Sequence, residues 1–271
     1  MKQPLEFYGV NTASNQPWKR ILSEQQCPYS ASRCVKQRKS NPEQTIGACI
    51  IGYQEQPLII CPKRFLQNHQ IFVDTAALLK TRGARYVVVP EITMLGGSVD
   101  YFVVAMRGDE VLDYVGLEIQ GLDTTGSGGI WSAREDLMRG AMQGEYGYGY
   151  GVNWKMSAKT ILMQLHHKAE AFEQLGKKLL LVIQRQFFDY MQREFQTEHF
   201  HPAQAHDTVH FHLYDCLDVN ASYRLRLESR ISTNVGGVER MLKLGNTTQI
   251  SHEDIIAIIK RKLPKAITLN L

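Results

Sequence analysis

Residues 98–120 read SVDYFVVAMRGDEVLDYVGLEIQ, a stretch in which two apolar-rich segments flank a short polar one. The polar segment, Arg107-Gly108-Asp109-Glu110, has the composition of a tight turn. β-Branched and aromatic residues are frequent on both sides of it, as is typical of strands. We therefore predict an antiparallel hairpin with strands at residues 98–106 and 111–120.

The two faces of the predicted hairpin carry different residues, because side chains alternate along a strand. A turn centred on Asp109 places Asp100 directly opposite Glu118. The same alternation puts Gln120 on the face of these two carboxylates. The other face is apolar enough to join the core and carries Val99, Tyr101, Val103, Ala105, Val115, Leu117 and Ile119.

Two opposed carboxylates lie roughly 5 Å apart across a strand pair, which is close enough to share a divalent cation. Mg²⁺ prefers such hard oxygen ligands and retains waters that a phosphate can replace. Gln120 is placed to hold an attacking water, although a neutral amide cannot act as a general base. Glu91, at the end of the preceding predicted strand, is a further candidate carboxylate. Acidic residues on exposed hairpins are also common without any metal, and the spacing alone leaves that alternative open.

The segments around the hairpin predict an α/β fold, a mixed sheet flanked by helices. Residues 67–81 have the apolar spacing of a helix, and residues 85–90 have the composition of a buried strand. After a glycine-rich loop at residues 124–129, we predict a long amphipathic helix at residues 154–174 and a buried strand at 178–184. Further elements are predicted at residues 187–195 (helix), 209–214 (strand) and 252–262 (helix).

Four of the five cysteines lie early in the chain, at Cys27, Cys34, Cys49 and Cys61. Disulfides are disfavoured in the cytosol, so four clustered cysteines suggest thiolate ligands for one metal. Their separations of six, fourteen and eleven residues differ from the CxxC pairs of common zinc modules. Unrelated buried thiols therefore remain an alternative, and we expect the isolated Cys216 to be a core thiol.

The composition is compatible with a nucleic-acid-binding protein but does not require one. The net charge is +4 over 271 residues. Basic residues cluster at Arg33, Lys36, Arg38 and Lys39, and again at Lys260, Arg261, Lys262 and Lys265. These clusters could contact DNA or form solvated surface. There is no apolar run of membrane-spanning length and no signal-peptide pattern at the start, so we expect a cytoplasmic protein with no membrane partner.

Several motifs resemble those of known nucleases. The pattern Asp100-x17-Glu118-Ile119-Gln120 resembles the active-site signature of the PD-(D/E)xK nucleases, with Gln in the usual place of Lys and Val99 in place of the leading Pro. The stretch YVGLEIQGLDTTG at residues 114–126 resembles the NotI and EagI group of type II restriction endonucleases. So do the four early cysteines, the IICPKR box at residues 59–64 and the GVNW segment at residues 151–154.

This resemblance implies a PD-(D/E)xK nuclease core at residues 67–271, with C-terminal elements that contact DNA, and a small metal-binding module at residues 1–66. It implies a homodimer that makes Mg²⁺-dependent double-strand cuts at a palindromic, plausibly GC-rich site in double-stranded DNA. Asp100, Glu118 and the backbone carbonyl of Ile119 would hold the Mg²⁺. The structural metal, iron or zinc, would be held by Cys27, Cys34, Cys49 and Cys61. Gln120 would take the usual Lys position, which leaves open which group activates the water.

Two alternatives remain at this stage. A non-catalytic DNA-binding protein with a metal-stabilised module would keep the cysteines without needing Asp100 and Glu118 to face each other. The histidines at positions 199, 201, 206, 210 and 212 could bind a second metal, but no resemblance supports a site there. We expect these imidazoles to face DNA or solvent instead.

Overall fold

The fold is described by a computed structural model, which covers residues 2–38, 41–79, 81, 83–94, 97–140, 142, 147–242 and 252–262. In chain order the elements are β1 (Pro4–Phe7), β2 (Val10–Asn11), α1 (Trp18–Glu24), β3 (Gln26–Cys27), β4 (Ser32–Arg33), β5 (Gln37–Arg38), β6 (Asn41–Thr45), β7 (Ala48–Tyr53), β8 (Gln56–Ile59), a 3-10 helix (Pro62–His69), α2 (Gln70–Ala76), β9 (Arg85–Met94), β10 (Gly97–Arg107), β11 (Glu110–Ile119), β12 (Thr124–Thr125), α3 (Gly128–Arg139), β13 (Gly151–Val152), α4 (Trp154–Gln174), β14 (Lys178–Gln184), α5 (Arg185–Glu194), β15 (His201–Pro202), β16 (Val209–Asp218), β17 (Tyr223–Thr233), α6 (Val235–Met241) and α7 (His252–Lys262).

The main sheet has seven strands in the order β15-β17-β16-β14-β11-β10-β9. β11, β14 and β16 are parallel to one another, whereas the pairs on either side of them are antiparallel. The connections between the parallel strands contain helices, as such connections usually do. This arrangement confirms the predicted mixed sheet flanked by helices. In the part of the chain that the structure describes, no helix is long and apolar enough to cross a membrane.

The hairpin of β10 and β11 has the predicted register, with Tyr101 opposite Leu117 and Val103 opposite Val115. Its apolar face is buried, as expected. Its other face packs on α4, where a Cβ added at Gly116 would overlap the ring of Phe172. Glycine at position 116 therefore allows α4 to approach β11 closely.

A second, four-stranded sheet, with the order β2-β1-β7-β8, is built from the first 59 residues. It is joined to the main sheet through Gln184 at the end of β14. The Gln184 side chain accepts a hydrogen bond from the Ile59 amide at 2.7 Å and donates one to the Pro57 carbonyl at 2.6 Å. The buried pair Arg64–Glu6, 2.8 Å apart, adds a link within the N-terminal part. Apolar residues from both sides of position 66 pack in shared clusters.

Two of the predicted elements differ from the structure. Residues 85–90 were expected to be buried, but β9 is the edge strand of the main sheet and Tyr86 is 43% exposed. An unbroken apolar run indicates a strand and cannot tell whether a neighbour covers it. The helix predicted at residues 67–81 is shorter, because Asn68 and His69 have left-handed backbone conformations that separate the 3-10 helix from α2.

Candidate active site

Asp100 and Glu118 lie side by side at one end of the hairpin. Asp100 immediately precedes the pair Tyr101–Leu117 in β10, and Glu118 follows that pair in β11. The Asp100 carboxylate accepts a hydrogen bond from the backbone N–H of Ile119, with N and Oδ2 2.9 Å apart. The register of the hairpin thus places Asp100 opposite Glu118, as predicted.

The two carboxylates have different surroundings, since Asp100 is exposed and Glu118 is only 5% exposed. Oε1 of Glu118 accepts a hydrogen bond from Nζ of Lys168, 2.6 Å away. Burial raises the pKa of the Glu118 carboxyl to about 7, and the charge of Asp100 adds to the rise, while the hydrogen bond from Lys168 opposes it. Burial thus works against the charged form of Glu118, and the pairing with Lys168 favours it.

Lys168 was missed by the sequence analysis. It lies on α4, three residues after Leu165 and four before Phe172, both of which are fully buried. These spacings place Lys168 on the buried face of the helix. The sequence signal that could have identified Lys168 is a charged residue at an apolar position of an amphipathic helix.

A pocket of about 270 Å³ opens beside Asp100. Its lining residues are Pro62, Lys63, Pro90, Glu91, Ser98, Val99, Asp100, Tyr101 and Ile119. In the antiparallel pair of β9 and β10, Ile92 faces Val99 and Pro90 faces Tyr101, so Glu91 is the residue across from Asp100. Glu91 has a φ of 42°, an unusual conformation for a residue with a side chain. Such strained residues concentrate at functional sites.

The ammonium group of Lys63 lies at the rim of the same pocket. Nζ of Lys63 is 3.1 Å from the hydroxyl of Tyr101. Burial works against the charged form of Lys63. The hydrogen bond to Tyr101 and the charges of Tyr101 and Asp100 outweigh this effect and raise the pKa of Lys63. The IICPKR box thus brings a lysine to the pocket, a role that the sequence analysis did not assign.

Gln120 and Ile119 complete the strand end. The amide of Gln120 donates to the Gly121 carbonyl at 2.6 Å, so its side chain is turned toward its own backbone rather than toward the carboxylates. Ile119 lines the pocket. The structure therefore brings together Asp100, Glu118 and Ile119. Gln120 is next to them in the chain, but its side-chain amide is bonded to the Gly121 carbonyl.

The four early cysteines are free thiols on neighbouring short elements. Burial raises the pKa of Cys61, the charge of Lys36 opposes this rise, and the charges of Cys34 and Cys27 add to it. Within the described residues, however, no three of the sulfurs all lie within 4.8 Å of one another. This is wider than in a tetrahedral site with metal–sulfur bonds of about 2.3 Å. The four sulfurs are suitable ligands for iron or zinc, but they lie too far apart to coordinate one metal ion together.

The histidines in β16 correct one expectation. His210 and His212 are buried, not exposed to DNA or solvent. Burial and the charge of Arg230 lower the pKa of His212 to about 3, so it is a neutral core residue. Cys216 is a core thiol as predicted, and burial raises its pKa to about 12.

The two basic clusters lie at the surface where the structure describes their side chains. Arg33, Lys260 and Arg261 are exposed. Lys36 is half-buried and donates a hydrogen bond to the Ile60 carbonyl at 3.1 Å. Lys39 and Lys265 lie outside the described residues.

Comparison with known families identifies the class of this protein. The family described as "Restriction endonuclease NotI" matches residues 15–227, most of the chain and every residue of the candidate site. The protein is therefore a type II site-specific deoxyribonuclease, and it binds DNA. More narrowly, the chain belongs to the NotI restriction endonuclease family. No curated protein matches it significantly. The family membership favours an enzyme over the non-catalytic DNA-binding alternative.

Proposed function

We propose that this restriction endonuclease hydrolyses DNA with Mg²⁺ at a PD-(D/E)xK active site formed by Asp100, Glu118 and Ile119. The observation that carries this proposal is the hydrogen bond from the Ile119 amide to the Asp100 carboxylate. It holds the exposed carboxylate at the end of β11, beside Glu118 and at the edge of the pocket. Two carboxylates and the Ile119 carbonyl form the hard-oxygen donor set that Mg²⁺ prefers.

The residues around this donor set suit a phosphodiester substrate. When bound, Mg²⁺ lowers the pKa of a ligand water and stabilises charge on the phosphate. Glu91, exposed and across from Asp100, is placed to accept a proton from the attacking water. Lys63 supplies a positive charge at the rim that attracts a phosphate. Gln120 would orient the water only after its amide turns away from Gly121.

A simple assay tests the metal requirement. Incubation of plasmid DNA with the purified protein should yield discrete linear fragments in Mg²⁺, and none after chelation with EDTA. Discrete fragments in EDTA would show that the carboxylates do not act through a divalent ion. Mapping the fragment ends on DNA of known sequence would identify the recognition site, which we propose to be a palindrome, GC-rich by resemblance.

We further propose that the active form is a homodimer, because double-strand cleavage needs two active sites and a palindrome mirrors two-fold symmetry. The edge strand β9 supports this proposal. Its side chains include four large apolar ones that are more than a third exposed, at Tyr86, Val88, Val89 and Ile92. Such an edge strand is a template for pairing with another chain. Because its substrate is DNA, we place the enzyme in the cytoplasm.

The N-terminal segment, residues 1–66, is proposed to bind one structural iron or zinc through Cys27, Cys34, Cys49 and Cys61. None of the four forms a disulfide, and the charges of Cys34 and Cys27 act on the pKa of Cys61, which supports a shared site. The sulfurs would have to move closer together to surround the metal. With four protein ligands, such a site leaves no position open for substrate and is structural.

A further inference from the structure

The buried pair of Lys168 and Glu118 is the strongest feature of the site that the proposed mechanism does not use. Its atoms are 2.6 Å apart, and the two side chains are 5% and 6% exposed. Removing one partner of such a pair leaves an uncompensated buried charge and is strongly destabilising. Lys168 therefore stays paired with Glu118 unless another anion replaces the carboxylate as its partner.

The position of Lys168 follows from the packing of α4 on β11. Phe172 packs where Gly116 leaves room, and Lys168 lies one helical turn before Phe172. Glu118 lies two residues after Gly116, on the same face of the strand. One helical turn and two strand residues span similar distances, roughly 6 Å each, so the lysine is brought to the carboxylate.

The ammonium and a divalent ion cannot both occupy this carboxylate without repulsion between the two cations. We propose that Lys168 blocks the metal site in DNA-free protein and moves from Glu118 to a DNA phosphate when metal and DNA are both present. The inference rests on the proposed function of Glu118 as a metal ligand. It adds that DNA and metal bind in a coupled way.

The surroundings of Lys168 allow this movement. Its Cε lies beside Gly97, where a Cβ would come within 3.5 Å of it, so the tip of the side chain reaches the start of β10. Asp100 and the pocket lie three residues further along that strand. A flexible four-carbon stem can redirect the ammonium over such a distance. A phosphate in the pocket would replace the carboxylate as its partner, and without one the movement would leave a buried ammonium unpaired.

The experiment compares Mn²⁺ binding to DNA-free protein, followed by the EPR signal of free Mn²⁺, for wild type, Lys168→Met and Lys177→Met. Lys177 is a matched control, because it forms a 2.6 Å ion pair with Asp113 at the far end of the same strand. We expect Lys168→Met to bind Mn²⁺ at least about tenfold more tightly, a change of 1.4 kcal/mol. Lys177→Met should bind as wild type does. Adding Asp100→Ala to Lys168→Met should abolish the gain.

The same variants separate a role in DNA binding and cleavage from a purely structural one. With saturating Mg²⁺, kcat for DNA cleavage by Lys168→Met should fall about a hundredfold, as when one charge-stabilising donor is lost. Unchanged or weaker Mn²⁺ binding by a folded Lys168→Met protein would overturn the inference. If that variant does not fold, Lys168→Gln keeps a donor without the charge and must show the same tightening.

The outcomes also distinguish this inference from the proposed function. If wild-type protein cuts DNA in Mg²⁺ and Glu118→Gln does not, while Lys168→Met leaves Mn²⁺ affinity unchanged, only the role of Lys168 is lost. If Glu118→Gln cuts as fast as wild type, the proposed metal site is wrong and the inference is overturned with it.

Discussion

The carboxylates around the pocket differ in burial, and their chemistry differs accordingly. Glu118 is buried against Lys168, whereas Asp100 and Glu91 are exposed across a strand pair from each other. The proposed role of Asp100 as a metal ligand benefits from the fixed position that the Ile119 amide gives to its carboxylate. A proton acceptor needs access to water, which Glu91 has.

This difference predicts the effect of Glu91→Gln. If Glu91 takes the proton of the attacking water, its loss should slow cleavage about a hundredfold or more, the typical contribution of a general base. The matched control is Glu110→Gln, since Glu110 is exposed at the turn end of the hairpin. Initial rates on one DNA fragment provide the measurement. Equal rates for both variants would remove Glu91 from the mechanism.

The packing of α4 on β11 determines where Lys168 and Glu118 meet. Gly116→Ala would place a methyl group against the Phe172 ring. We expect a loss of about 1–3 kcal/mol in the free energy of unfolding, as for other overpacked cores. Slower cleavage should accompany this loss. Gly149→Ala is the control, because nothing lies within 4 Å of its added Cβ. Urea unfolding of both variants measures the free energy of unfolding. Equal values would show that α4 can shift away from β11 without loss of stability.

The elements also show what the sequence could and could not predict. The bounds of α4, β14 and α7 agree with the prediction. A long helical period predicts α4, and the short length of the apolar run favours a strand for β14. The register of the hairpin followed from its turn. Lys168 could not be paired with Glu118 in this way, since the contact spans 50 residues and depends on how a helix packs. The helix α3 was missed because its glycine-rich start looks like a loop.

The proposed structural metal site can be tested with a cysteine of the N-terminal sheet. Cys49 is 4% exposed in β7. Cys49→Ser should therefore remove the bound metal and lower the melting temperature, because binding energy of a structural metal is also folding energy. Cys216→Ser, also buried but remote in sequence, should keep the metal. Metal content per chain, measured on purified protein, decides this. A wild-type protein without stoichiometric metal would contradict the proposed site.

At the scale of the molecule, β9 is the edge strand of the main sheet among the described residues, and it lies beside the candidate pocket. Pro90 and Glu91 belong to both features, so a dimer formed on β9 would bring two active sites near the two-fold axis. We expect the wild type to sediment as a dimer and Val88→Glu to sediment as a monomer that loses double-strand cutting. Val111→Glu, equally apolar in the wild type and 55% exposed near the hairpin turn, should remain dimeric. A wild type that stays monomeric on DNA while cutting both strands in one encounter would contradict the dimer.

The central claim is that Asp100 and Glu118 are the metal-holding pair of the active site. The most direct measurement pairs gel-shift binding in Ca²⁺ with cleavage in Mg²⁺, on a DNA fragment that the wild type cuts, for Asp100→Ala, Glu118→Ala and Gln120→Ala. Affinity comes mainly from phosphate and base contacts made elsewhere. We therefore predict that Asp100→Ala and Glu118→Ala bind this DNA but do not cut it, and that Gln120→Ala is affected less. Folded Asp100→Ala and Glu118→Ala proteins that still cut at wild-type rates would place the active site elsewhere.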